Sequence, residues 1–335
     1  MTQYKPQLTF FCELDAAPLQ ELFTGTKLTK QLKEMQAAIS LGIIDLTKER
    51  AAVVKKLNKA GIPVTAWLLL PKDQGYWFNL ENAEHAAERY QQFSAWTTEN
   101  KLNFAGIGLD IEPDINLMKQ LPKDPKNVLT KLGKKLFSNG KWKAQRQRYI
   151  DLVNQIRLDG YTVEDYQFPL IADERKARSN IMARTLGLVD LPVDREVFML
   201  YTSFFPAAGA GILESYAGEA GGIGLGVTGG GVIIEGTVDA QPITWEALRR
   251  DMLLSVRHTP NLYIFSLEGC VWRDWLPAIA ELDWNAEVSI PSQQAGQVKM
   301  VRRSAQAVLW GLSHPLWVLA GFVLIVGLAN RGKKK

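Results

Sequence analysis

The stretch Phe104-Ala-Gly-Ile-Gly-Leu-Asp-Ile-Glu-Pro113 decides how the rest of the chain is read. Side chains along an extended strand alternate between two faces. One face here holds Ile107, Leu109 and Ile111, and the other holds Gly106, Gly108, Asp110 and Glu112. The apolar face suits a covering layer of helices. The second face has two positions without side chains, then two acids, before Pro113 stops the strand. That is how a strand of a closed (β/α)₈ barrel reads, with room inside and chemistry at the C-terminal mouth. Acids at i and i+2 stand about 6–7 Å apart, close enough for each to disfavour the other's ionisation. A proton-holding acid beside an ionised neighbour is what glycosidic bond cleavage uses. A helix-capping role would need only one acid and leaves the inward glycines unexplained.

Outward from this strand, short apolar runs alternate with longer amphipathic stretches, the mark of βα repeats. Eight strands are predicted, at Leu8–Leu14, Ala38–Ile44, Val64–Leu70, Phe104–Ile111, Gln167–Ala172, Val197–Thr202, Gly222–Val227 and Leu262–Leu267. Helical patterns lie between them, such as Lys48–Ala60, closed by Gly61, and Leu80–Asn100. The predicted fold class is α/β: a single (β/α)₈ TIM-type barrel over residues 1–285, a linker over 286–306, and a transmembrane helix over 307–330. No GxGxxG or GxxxxGK[ST] follows any strand, against a dinucleotide fold or a P-loop. The glycine-rich Gly221–Gly231 segment reads as close backbone approach at the seventh strand.

The apolar (47%) and charged (22%) fractions are those of a globular protein. Cys12 and Cys270 form no disulfide framework or zinc site and read as reduced core residues. The chain carries +4, but seven cations and no acid lie from Lys299 onward, so the preceding body is net acidic. Nucleic acid is therefore not an expected partner. The basic run from Lys119 to Arg148 reads as a solvated helical insertion, with contact to anionic lipid as the competing reading. Ala307–Ala329 carries no acidic or basic residue other than His314, and its 23 residues reach about 34 Å as a helix. Arg302, Arg303 and Lys333–Lys335 bracket it. With no signal-peptide pattern at the start, the expectation is a single-pass C-terminal anchor with the barrel in the cytoplasm.

Other predicted strand ends add to an acidic ring. Glu13 lies at the end of the first strand with Asp15 just after it, Asp45 follows the second, Asp173 and Glu174 the fifth, and Glu268 the eighth. Trp67, Tyr201 and Trp272 accompany them. Carboxylates with aromatic platforms suit a sugar, whose ring faces stack while its hydroxyls bond. Glu13, Asp45, Trp67, Asp173, Tyr201 and Trp272 are accordingly candidates for substrate binding.

The Gly106–Glu112 strand resembles the fourth-strand signature DxxDxDxE of chitinase-like family 18 glycoside hydrolases. Phe198-Met-Leu-Tyr201 is similar to that family's sixth-strand Met-x-Tyr, and Trp272 stands near its eighth-strand tryptophan. The resemblance implies a barrel hydrolase with Glu112 as catalytic acid and Asp110 as its modulating neighbour. Ala105 and Gly108 replace the signature's earlier aspartates, and Thr202 replaces the Asp after the tyrosine. A retaining mechanism without those acids needs a second carboxylate about 5–5.5 Å from Glu112; Glu268 is the first candidate and Glu235 the second.

The expected function is a membrane-anchored glycoside hydrolase-like enzyme acting on a carbohydrate or glycolipid through carboxylate acid/base catalysis, without cofactor. Two alternatives stay open. One is a barrel enzyme using Mg²⁺ or Ca²⁺ on Glu13, Asp110, Glu112 and Glu268 through oxygen ligands. The other is a non-catalytic barrel that binds a glycan or lipid headgroup. Zinc and Ser/His/Asp chemistry are disfavoured, because His85, His258 and His314 all lie away from strand ends and no GxSxG occurs.

Overall fold

The computed structural model describes residues 5–120, 123–136, 141–230 and 241–315. Eight parallel strands close on themselves in chain order. They are β1 (Gln7–Cys12), β2 (Ala38–Ile43), β3 (Val64–Leu68), β4 (Gly106–Ile111), β5 (Thr162–Gln167), β6 (Arg195–Met199), β7 (Gly222–Gly226) and β8 (Asn261–Phe265). The ring is shut by β1 against β8, from Gln7 opposite Asn261 to Phe11 opposite Phe265.

Strand alternation sorts the apolar residues into two layers. Phe10, Ile39, Leu41, Ile107, Leu109 and Ile111 pack outward under the helices. Phe11, Trp67, Leu69, Tyr166, Val197 and Tyr263 fill the barrel. The glycine face of β4 points inward: a Cβ on Gly108 would lie 2.3 Å from the Tyr166 hydroxyl. The glycine thus makes room for that ring, and the interior is packed.

The lower interior is closed by a polar network around Glu164. Tyr166 Oη donates to Glu164 Oε1 (2.9 Å) and accepts from Ser40 Oγ (2.6 Å). Tyr263 Oη donates to Glu164 Oε2 (2.5 Å) and accepts from Arg195 Nη1 (3.0 Å). Parallel strands also leave carbonyls bare at the upper rim. Two buried arginines take them: Arg50 bonds Gly42 O (2.7 Å) and Leu14 O (2.9 Å), and Arg89 bonds Leu69 O (2.9 Å) and Ile43 O (2.7 Å).

Two expectations need correction. The fifth strand lies at Thr162–Gln167, not Gln167–Ala172. Its sequence TVEDYQ places polar groups on both faces, so apolar periodicity passes over it. The apolar run beyond it forms the helix Leu170–Lys176 instead, which begins immediately after Pro169. Asp173 is therefore helical and on the flank.

The single-pass anchor is also withdrawn, and with it the placement of the barrel in the cytoplasm. Among the described residues no helix is long and apolar enough to cross a membrane. Most of the segment read as a linker is part of one helix, Ser292–Ser313, whose last turns are the start of the predicted span. Ala295, Arg302 and Leu309, seven residues apart, are its buried residues. At Gly211 the approach is so close that a Cβ would meet Gln294 Cβ at 2.6 Å. Ser313 bonds Ser179 at 2.9 Å. Residues 316–330 of the predicted span lie outside the described residues.

Candidate active site

Asp110 and Glu112 stand at the open end of β4, as their alternation requires. Asp110 is buried and accepts from Trp67 Nε1 at 3.1 Å. Its Oδ1 is buried without a hydrogen-bond partner among the described residues. Glu112, half-buried, follows at the rim. Glu13 continues the inward face of β1 above Phe11 and accepts from Tyr76 Oη at 2.6 Å. Tyr201, just beyond β6, is half-buried, with its ring 5.9 Å from Phe265 and 6.3 Å from Phe204.

These acids act on one another. Burial, then the charges of Glu112 and Glu13, push the Asp110 carboxyl well above the usual carboxylate range, against the Trp67 N–H. Burial and then the Glu13 charge push Glu112 up to about 8. Tyr201 is raised by burial and by the charges of Asp110, Glu112 and Glu13, which places its phenol in the same field. The mouth therefore holds in Glu112 a carboxyl that keeps its proton near neutral pH, beside an Asp110 carboxyl pushed in the same direction.

Asp45, Asp173 and Trp272 fall elsewhere, while Glu268 lies against Glu13. Asp45 is bound by Arg50, Nε to Oδ1 at 3.1 Å and Nη2 to Oδ2 at 2.7 Å, and by Thr47. Burial would raise it, but these bonds hold it below the ordinary value. It serves the arginine that caps the strand ends. Asp173 accepts from Arg302 Nε at 3.0 Å, from Gln306 and from Tyr216, on the flank under the C-terminal helix. Trp272 ends the helix Leu267–Trp272 and is 64% exposed. Glu268 is fully buried and its Oε1 accepts the Glu13 backbone N–H at 3.3 Å. Gly230 covers it so closely that a Cβ there would sit 2.3 Å from Glu268 Cγ. Glu112 and Glu13 act on Asp110, and Glu13 acts on Glu112. Glu235 lies outside the described residues.

Sequence reasoning passed over Tyr76 and the pair Phe204–Phe205. Tyr76 sits in a loop, where no periodicity marks it. Phe204 and Phe205 are 44% and 57% exposed in the turn after β6; consecutive aromatics in Tyr201-Thr-Ser-Phe-Phe-Pro206 were a readable signal. Among the described residues no group of three or more His, Cys, Asp or Glu stands together so as to hold a metal ion. Two cavities of about 190 and 180 Å³ open on the flank, one beside Trp142, Glu174 and Asp190 and one among Lys176, Lys299, Arg302 and Arg303. Neither reaches the mouth.

No family profile matches the chain, and no curated protein matches it in sequence. Solved structures do resemble it. The PgaB (BpsB) glycoside hydrolase domain from Bordetella bronchiseptica is 13% identical, with TM-score 0.50, over 84% of this chain and 100% of that one. A GH18 chitinase from Pseudoalteromonas aurantia is 11% identical, with TM-score 0.47, over 82% and 99%. A xylose isomerase domain containing protein from Salmonella typhimurium is 10% identical, with TM-score 0.44, over 84% and 96%. At such identity the likeness is one of fold, an eight-stranded parallel barrel that hosts many chemistries.

Proposed function

We propose that this chain is a glycoside hydrolase-like enzyme that cleaves a glycosidic bond, with Glu112 as general acid/base and Asp110 as the neighbour that tunes it. The observation that carries the reading is a half-buried Glu112 at the barrel mouth, with its proton held up to about 8, beside a buried Asp110 braced by Trp67. An acid still protonated at neutral pH can protonate a leaving glycosidic oxygen as the bond breaks, and then accept a proton from water. Tyr201 and the exposed Phe204 and Phe205 offer apolar faces on which sugar rings stack. The fold likeness to the PgaB glycoside hydrolase domain agrees with this reading.

Ala105, Gly108 and Thr202 stand where the signature has aspartates, so the substrate range is tested broadly. The test is a panel of aryl glycosides carrying hexose, hexosamine and N-acetylhexosamine. Glu112→Gln is expected to cost about 10²–10⁴-fold in turnover while circular dichroism and melting stay those of the wild type. Hydrolysis unchanged in that variant sinks the assignment. Sugar binding without turnover in the wild type would instead favour a non-catalytic glycan-binding barrel.

A further inference from the structure

The turn that follows β3 is tied to the acids more closely than a connecting loop needs to be. Phe78 pairs in parallel with Ile111 as an isolated bridge. Its N–H bonds Asp110 O at 2.9 Å and its carbonyl accepts from Glu112 N at 3.1 Å, so the turn grips the backbone of both acids. Asn82 Nδ2 fixes Trp77 O at 2.8 Å, and Leu70 N fixes Tyr76 O at 2.8 Å. Between these anchors Tyr76 adopts φ +62°, a left-handed conformation unfavourable for a bulky residue and the kind of strain that collects at functional sites. Tyr76 belongs to the interior cluster that includes Phe11 and Trp67, and its phenol reaches Glu13 just beyond β1 in a buried hydrogen bond of 2.6 Å.

We propose that Tyr76 is a positioning residue that fixes Glu13 as the second carboxylate of the site, ionised and facing Asp110 and Glu112. Its catalytic meaning rests on the hydrolase reading above; the geometry does not. A phenol that donates to a carboxylate favours the ionised form, and an ionised Glu13 holds the proton on Glu112. The groups sharing this field are Asp110 on β4, Tyr201 beyond β6 and Asp15 beyond β1. Glu13 is also flanked by Cys12, by Glu268 at its own N–H and by Arg50 at Leu14 O.

The test reads the Glu112 proton without substrate. Glutamate-labelled protein is titrated by ¹³C carboxylate NMR, with Glu112 assigned through Glu112→Gln. In Glu13→Gln the Glu112 midpoint is expected to fall by about one pH unit. In Tyr76→Phe, which keeps the ring and loses only the donor, it falls by less. Adding Tyr76→Phe to Glu13→Gln should move it no further. If the strained turn does not accept Phe, 3-fluorotyrosine at position 76, a stronger donor, should lower the midpoint of Glu13 itself, and a Glu13 midpoint that stays or rises overturns the proposal. A midpoint unmoved in Glu13→Gln, or a Tyr76→Phe shift that persists in the Glu13→Gln background, overturns the proposal. The alkaline limb of hydrolysis should follow the same midpoints. If the midpoints move but no glycoside is cleaved, the hydrolase reading fails and the role of Tyr76 stands.

Discussion

The barrel mouth and the flank beneath the helix Ser292–Ser313 both bury carboxylates, and they treat them in opposite ways. On the flank Asp173 and Glu219 are each paired with a cation. Arg302 donates to Asp173 and, at 2.7 Å, to Glu219, while its guanidinium lies 3.6 Å from the centre of the Tyr216 ring. Lys176 reaches Glu219 at 2.7 Å. Burial would raise Glu219, but those two cations hold it low. At the mouth, the charges that act on Asp110 and Glu112 are other carboxylates, with an indole N–H as the opposing influence on Asp110. Paired buried acids hold a structure together; like-charged buried acids hold protons. Burial alone therefore does not separate the two regions, whereas the sign of the neighbouring charges does.

The largest expected effect tests the flank. Arg302→Met leaves Asp173 buried without its cation and should cost about 3–5 kcal/mol of unfolding free energy, measured by urea denaturation. Turnover per folded molecule should be unchanged. A loss below about 1 kcal/mol would erase the contrast between the two regions.

The second test is pH. Glu112 titrates higher in the folded chain, at about 8, than its ordinary 4.5. Between those values the folded chain keeps a proton that the unfolded chain has lost. The stability this gives is present below about 4.5 and disappears as pH rises through about 8. Wild-type denaturation midpoints should therefore decline across this window more steeply than those of Glu112→Gln. Parallel curves would mean that the mouth does not hold its proton. Asp45, held low by Arg50, works in the opposite sense and weakens the fold on acidification.

The smallest effect belongs to Trp272→Ala, expected within about 0.5 kcal/mol of wild type and without change in turnover. A clear loss of turnover would return Trp272 to the sugar-binding surface.

Much of this was legible in the sequence wherever one physical rule acted alone. The alternation of Gly106–Glu112 placed two acids at the mouth, and seven of the eight strands announced themselves by apolar runs. The fifth did not, because Glu164 bonds inside the barrel while Asp165 and Gln167 bond each other outside it. Polar residues that satisfy one another carry no periodic signal. The misplaced strand then carried Asp173 into the acidic ring. The anchor reading weighed the tail by composition, but Arg302, taken there as a flanking cation, is buried against Asp173 and pins the preceding helix to the barrel. Tyr76 was out of reach, since its role depends on a backbone conformation that no residue pattern encodes.

The hydrogen-bonded plug around Glu164 has a consequence for traffic. With Tyr166, Tyr263 and Arg195 bonded across the lower end, the barrel is closed from below. A molecule that reaches Asp110 must come from the strand-end side, and in the hydrolase proposed above water and product would share that approach. A long chain could lie over the rim or dip an end inside, but could not be threaded through.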